Sequence, residues 1–265
     1  MLSKKLNKKP NPLVVVGTGL VALDVVVSNG LAHDPLLCAG GTCGNVLIAL
    51  AYLGCESYPV ARLRSDAASK RVTEDLKSWG VKLDFVSIDE NGSTPVVIQH
   101  IRHSKNGRTH SFSRKCPGCG AWLPWYKAVR ASAVPELSPR LPKADVFYFD
   151  RTSRGAITLA EHFRNTGAMA VFEPSSESDP KLMEDALSAA HIVKVASDRL
   201  AAPYPVERLV DTAGAGDWCT AGIISSLGKL GPKGLEPIPK RGRGGKGRAS
   251  GDDAAIKRTT TGQAL

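Results

Sequence analysis

Apolar and polar positions alternate along the chain in short blocks with two different periods. Leu13–Val16 is an apolar run closed by Gly17, and Ala22–Val27 is a β-branched run broken by one acid, so both predict strands. A long loop is expected from there to about Gly41. Thr42–Leu53 carries apolar residues at helical spacing and stops at Gly54. Ser57–Leu63 predicts a strand. Asp66–Trp79 predicts an amphipathic helix with Asp66 as its N-cap and Gly80 as its stop. Phe85–Ile88 predicts a short strand. Thr94–His103 and Arg108–Ser113 flank Lys105-Asn106-Gly107, a turn composition that predicts a hairpin.

Further on, strand and helix patterns take turns. Asp145–Asp150, Ala168–Phe172 and Ile192–Val195 predict strands. Arg154–Asn165, Asp179–Ala189 and Gly214–Leu230 predict helices. Such alternation argues for an α/β fold built on a mostly parallel sheet flanked by helices. The strand pieces at 22–27, 94–103 and 108–113 do not fit the alternation, and suggest a small accessory β-layer. The stretch Pro-Lys-Arg-Gly-Arg-Gly-Gly-Lys-Gly-Arg at 239–248 is Gly-rich, basic and of low complexity, so little fixed structure is expected there.

Composition changes the picture in one respect. The 265 residues carry a net charge of +10, which on its face suggests nucleic acid. The excess sits in the tails. Residues 1–13 contain four Lys and no acid, and residues 229–265 contain nine basic and three acidic residues; the 22 basic and 22 acidic residues between them cancel. Solvated basic tails explain the charge, and nucleic-acid association is the weaker reading. No apolar stretch approaches the roughly 20 residues that span a bilayer, so no membrane contact is expected. The basic N-terminal stretch has no apolar run behind it, which predicts no secretory signal. With that and only six Cys, a reducing, cytoplasmic setting is expected.

Three segments carry candidate chemistry. In Asp211-Thr212-Ala213-Gly214-Ala215-Gly216-Asp217, small residues sit where a loop becomes a helix. There backbone N–H groups converge and the helix dipole adds partial positive charge, which suits a phosphate or a developing phosphoryl charge. Asp217 in the first turn could accept a proton from an attacking hydroxyl. Gly40-Gly41-Thr42-Cys43-Gly44-Asn45 pairs glycines before a helix with an amide that can donate and accept. Asp24 is a lone acid in an apolar run and needs a partner, either a protein donor or a polyhydroxylated ligand.

Together these segments resemble the PfkB (ribokinase-like) family of carbohydrate and nucleoside kinases. The late segment is similar to the family's C-terminal signature, Asp-Thr-x-Gly-Ala-Gly-Asp followed by small and aliphatic residues. Gly-Gly-x-x-x-Asn resembles the N-terminal signature, and Gly17-Thr18-Gly19 through Asp24 resembles its opening strand and substrate-contacting Asp. The resemblance spans roughly 13–228. It implies a ribokinase-like α/β domain over 13–230 with a small β-sheet lid from strands near 18–38 and 94–115, between basic tails at 1–12 and 231–265. It implies transfer of the ATP γ-phosphate to a hydroxyl of a sugar or small polyol. Asp217 would be the base, Gly214, Ala215 and Gly216 the anion hole, and Asp24, Gly40, Gly41 and Asn45 the substrate contacts. Mg²⁺ would accompany ATP. Some members bind a monovalent cation near the loop beginning at Asp211, and lids in this family sometimes pair between subunits, so a homodimer through the lid is a further expectation.

The departures from the family pattern cluster on the nucleotide side. Only Ala196–Val210 separates the strand at 192–195 from the late signature, and the basic tail replaces the family's closing helices. Glu173-Pro174-Ser175 stands where many members have Asp-Pro-Asn. Lys194 and Ser197 stand where an Asn and a Glu help position the Mg-nucleotide. The alternative reading is therefore a catalytically inactive PfkB-like protein that binds a sugar or a partner.

Other motifs point elsewhere. Cys116-Pro117-Gly118-Cys119-Gly120 has the form of a zinc knuckle, but one CxxC supplies two of the four ligands a structural zinc needs and no second pair exists, although His100, His103 and His110 are on the neighbouring hairpin; a tight turn with two reduced thiols is the stronger reading and a metal the weaker. Gly17-Thr18-Gly19-Leu20-Val21-Ala22 imitates a dinucleotide fingerprint, but β-branched residues follow where that motif must open a helix. His33 and His191 have no nucleophile at meaningful spacing, so a hydrolase triad is not supported.

Overall fold

The computed structural model describes residues 11–28, 34–104, 107–174, 179–195 and 214–235. Six parallel strands form the central sheet: β1 (Val14–Thr18), β4 (Glu56–Leu63), β5 (Val86–Ile88), β8 (Val146–Phe149), β9 (Met169–Phe172) and β10 (Ile192–Val193), in the order β10-β9-β8-β1-β4-β5. The order reverses direction between β1 and β8. In open parallel sheets, that crevice at the carboxyl ends of the strands is where ligands bind.

The central strands β1, β8 and β9 are buried on both sides, which explains their short, nearly all-apolar sequences. Side chains leave alternate residues toward opposite faces. Val15, Val146, Tyr148, Met169 and Val171 enter one core, against α1 (Thr42–Tyr52), α2 (Ala67–Ser78) and α6 (Ala215–Leu227). Val16, Phe147, Phe149 and Phe172 enter the other, against α3 (Val134–Leu137), α4 (Arg154–Asn165) and α5 (Pro180–Ala189). On that second face four phenylalanines stack in series. Phe163–Phe147, Phe147–Phe149 and Phe149–Phe172 have ring centroids 4.9, 5.7 and 4.6 Å apart.

Local signals set the helix ends. Asp66 caps α2 through a capping box, its carboxylate accepting from Ser69 N–H at 2.8 Å. Ser153 caps α4 and Asp179 caps α5. The α1 and α6 N-termini have no side-chain cap; in α1 the Gly44 N–H donates to Leu20 O at 3.1 Å, and the first N–H groups of α6 have no partner among the described residues.

A second, mixed sheet lies beside the first, in the order β3-β2-β6-β7. It comprises β2 (Ala22–Ser28), β3 (Leu36–Gly40), β6 (Val96–Ser104) and β7 (Gly107–Ser113). The small β-sheet implied by the resemblance is thus present. One expectation is corrected: the segment before Gly41 is not all loop, because Leu36–Gly40 pairs antiparallel with β2, Asp24 opposite Cys38. Its apolar residues were hard to read as a strand because Leu36 and Leu37 lie on an open edge and face solvent. β6 and β7 form the expected hairpin, Ser104 opposite Gly107.

The stacked phenylalanines give a stability test. Phe147→Ala opens a cavity at the centre of the stack and should cost about 3–5 kcal/mol, measured by urea unfolding. A loss under about 1 kcal/mol would mean the stack does not carry the second core.

Candidate functional site

The site is assembled from strand ends and two helix starts. α1 is buried along Cys43, Val46, Leu47 and Leu50 and packs on α6, with Tyr52 meeting Trp218 edge-to-face at 5.7 Å. This packing brings both uncapped N-termini together. Asn45, in the first turn of α1, donates from Nδ2 to Asp217 Oδ2 at 2.9 Å. Gly214 opens α6 in the left-handed region at φ +75°, a conformation that costs a side-chain-bearing residue strain.

Asp24 projects from β2 at the same place. Gly41 N–H donates to its carboxylate, while Oδ1 is buried with no hydrogen-bond partner among the described residues. Gly40 is needed beside it: a Cβ there would lie 2.0 Å from Asp24 Oδ2. Burial pushes the Asp24 carboxyl up to about 6, the Gly41 bond opposes the rise, and the charge of Asp217 adds to it. Asp217 is likewise pushed up to about 6, first by burial, with Asn45 opposing and Glu173 adding. Two carboxylates held near each other out of water therefore both prefer a proton more than usual.

The structure brings together Asp24, Gly40, Gly41, Asn45, Gly214, Ala215, Gly216 and Asp217. Asp211, Thr212, Ala213, Ser175 and Ser197 lie outside the described residues, as does the short 196–210 segment.

Sequence reasoning did not single out Asp150. It follows β8 directly, its Oδ1 accepts from Leu20 N–H at 2.9 Å, and its Oδ2 pairs with Arg151 Nη1 at 2.9 Å. It therefore ties the ends of β1 and β8 across the crevice, and its charge reaches Asp217. An acid closing a wholly apolar strand was the signal available for it.

Glu173 and Lys194, noted as two separate departures, form one unit. They make an ion pair at the ends of β9 and β10, and Lys194 Nζ also donates to the Gly216 carbonyl at 2.9 Å. Glu173 Oε2 accepts from Thr220 Oγ1 at 2.6 Å and from Tyr148 OH at 3.2 Å. Strand ends and the first turn of α6 are thereby joined through one buried carboxylate.

Comparisons with known proteins bear on this arrangement. Residues 13–115 match the family profile described as pfkB family carbohydrate kinase. No curated protein matches. The fold is similar to that of a fructokinase with bound ATP from Xylella fastidiosa (TM-score 0.62, 18% identity, 84% of this chain and 84% of that one). It is also similar to an uncharacterized sugar kinase from Pyrococcus horikoshii in complex with ATP (TM-score 0.61, 15% identity, 80% and 84%). A third is aminoimidazole riboside kinase from Salmonella enterica complexed with aminoimidazole riboside and an ATP analog (TM-score 0.58, 20% identity, 82% and 84%). The resemblance is borne out over residues 13–115, which hold the early motifs, and in the fold, which is similar to that of these kinases; the late motif at 211–217 lies outside the matched span.

Two tests follow from the electrostatics. Lys194→Met leaves Glu173 buried without its cation and should destabilise by about 3–5 kcal/mol. Adding Glu173→Gln should recover most of that; equal losses in single and double variants would mean the ion pair is not the cause. Asp24 is the opposite case. Its folded-state pKa is above the unfolded value, so the folded state binds the proton more tightly. Stability is therefore penalised above about pH 6 and the penalty disappears as pH falls toward 4. Asp24→Asn should raise Tm at pH 7.5, by the equivalent of about 2–3 kcal/mol, and give no advantage at pH 4. Equal Tm shifts at both pH values would contradict the burial argument.

Proposed function

We propose that this chain, ribokinase-like in fold and matched over residues 13–115 to the pfkB family carbohydrate kinases, is an ATP-dependent kinase acting on a hydroxyl of a sugar or small polyol. The observation that carries this reading is the meeting of Asp217, Asn45 and Asp24, whose buried Oδ1 has no partner among the described residues, at two helix N-termini without side-chain caps. A ligand that both donates hydrogen bonds to carboxylates and carries phosphate charge suits those groups together.

The residues divide the work. Asp24 Oδ1 accepts from a substrate hydroxyl, which satisfies the buried oxygen that the protein leaves open. Gly40 keeps the space beside that carboxylate clear. Asn45 holds the Asp217 carboxylate by its amide N–H, fixing the oxygen that takes the proton. Asp217 accepts the proton of the attacking hydroxyl as the new P–O bond forms and the bond to the departing nucleotide breaks. The N–H groups of Gly214, Ala215 and Gly216 face the charge that spreads over the transferring group. Arg151 and Lys194 keep the neighbouring Asp150 and Glu173 paired, so the carboxylates left to act are Asp24 and Asp217.

ATP supplies the phosphoryl group, and fits the N–H groups at the start of α6 that have no partner among the described residues. Among the described residues no cluster of three or more His, Cys, Asp or Glu could cage a metal. Mg²⁺ therefore fits as an ion carried in on phosphate oxygens, the usual mode for this hard cation. The Asp211 loop, which the resemblance connects with a monovalent cation, lies outside the described residues.

The test is turnover of a sugar panel with MgATP, read as ADP release. Asp217→Asn should lower kcat by about 10²–10⁴-fold while sugar binding by calorimetry stays within a few-fold. In the wild type, kcat/KM should fall as pH drops through about 6, because Asp217 must be ionised to accept the proton. Unchanged turnover in Asp217→Asn would remove it as the base. Sugar binding with no ADP release on any substrate would establish the non-catalytic alternative in its place.

A further inference from the structure

Outside the crevice, the chain carries a second concentration of chemistry. After β7, the segment Arg114–Leu123 folds back on itself through a bridge between Lys115 and Trp122. Cys116 N–H donates to Ala121 O at 2.8 Å, Gly120 N–H to Cys116 O at 2.9 Å, and Leu123 N–H to Arg114 O at 2.8 Å. Within the turn, the N–H groups of Cys119 and Gly118 and the Cys119 thiol all donate to Cys116 Sγ. Two sulfurs are thus in contact at the tip, one of them already surrounded by backbone donors, with Cys119 exposed. The turn is braced from below. Arg114 lies between Trp122 and Trp125, 5.1 and 4.4 Å from their ring centroids, and Lys115 lies 5.0 Å over Trp122.

This turn has the donor type, spacing and rigidity of half a tetrahedral thiolate site. It is only half. Among the described residues no group of three or more His, Cys, Asp or Glu comes together. The other four cysteines are committed elsewhere, Cys38 on β3, Cys43 in α1, Cys55 after it and Cys219 in α6. A second observation says what completes it. Phe112 and Trp122, which flank the turn in sequence, are 65% and 67% exposed, large apolar side chains that an apposed surface can cover, even though Arg114 and Lys115 lie over the Trp122 ring. A second copy of this chain would bring two more sulfurs and cover those rings. The cations Arg114 and Lys115 would offset the double negative charge of a zinc tetrathiolate.

We propose that Cys116 and Cys119 bind a thiophilic divalent ion, zinc, shared between two copies of the chain, each contributing two thiolates. Each thiol gives its proton to solvent as its sulfur takes the metal, and no oxidant or reductant is required. The site lies apart from the Asp24–Asp217 crevice and does not depend on the activity proposed above.

The probe is Co²⁺, added to the reduced full chain under anaerobic conditions, followed by visible absorption and light scattering. The expected result is tetrahedral cobalt–thiolate absorption that saturates at about half an equivalent per chain, with a monomer-to-dimer change that EDTA reverses. Cys116→Ser and Cys119→Ser should each abolish both signals. Cys219→Ser, which removes another exposed thiol, should abolish neither. Absence of thiolate bands, saturation at one equivalent on a monomer, or a dimer indifferent to EDTA and to both substitutions would each overturn the proposal. Zinc content of the untreated protein, measured by mass spectrometry, should give the same half equivalent.

Discussion

The candidate site depends on the packing of α1 against α6. Each is apolar enough to be held by burial rather than by its own caps, and neither has a side chain closing its first turn. Because they pack against each other with Asn45 of one start bonded to Asp217 of the other, two partial positive charges meet there. The Asn45–Asp217 hydrogen bond is the polar consequence of that apolar contact. Disturbing Leu47 or Leu50 would move the amide and the carboxylate apart without touching either.

That arrangement also explains why acids accumulate there. A carboxylate is poorly placed in a buried crevice, yet Asp24, Asp150, Glu173 and Asp217 all converge on it. Arg151 and Lys194 satisfy two of them. Burial raises the proton affinity of Asp150 against the opposing Arg151, and pushes Asp24 and Asp217 up to about 6, near the point where a small change of surroundings decides their charge. Stability given up at such a position is a common accompaniment of function.

Much of this was legible in the sequence because local chemistry carried it. Asp66, Ser153 and Asp179 each stand one residue before a helix and cap it. Paired or single glycines marked the starts of α1 and α6. The Gly-Gly and Gly-Ala-Gly-Asp motifs named the residues that the structure draws together. What was not legible was pairing at a distance. Glu173 and Lys194 are 21 residues apart and each looked like an isolated departure, whereas their side chains meet. Asp150 looked like the end of a strand, and its role as a tie to Leu20 exists only once β1 and β8 are neighbours. Strand β3 was missed because its outward Leu36 and Leu37 give an edge strand no alternation to read.

The two sheets contribute unequally to the crevice, and this has a mechanical meaning. Asp24 rides on β2 in the small sheet, while Asp217 rides on α6 against the large one. Strand β3 runs through Gly40 and Gly41 directly into α1, so the small sheet is coupled to the helix that holds Asn45. A ligand whose hydroxyls reached both acids would therefore bridge the two sheets of one compact unit, and one that reached only a single acid would not. For the function proposed above, selectivity would then reside in span as much as in contact: a compound short by one hydroxyl would lodge in the crevice yet leave the two sheets unbridged.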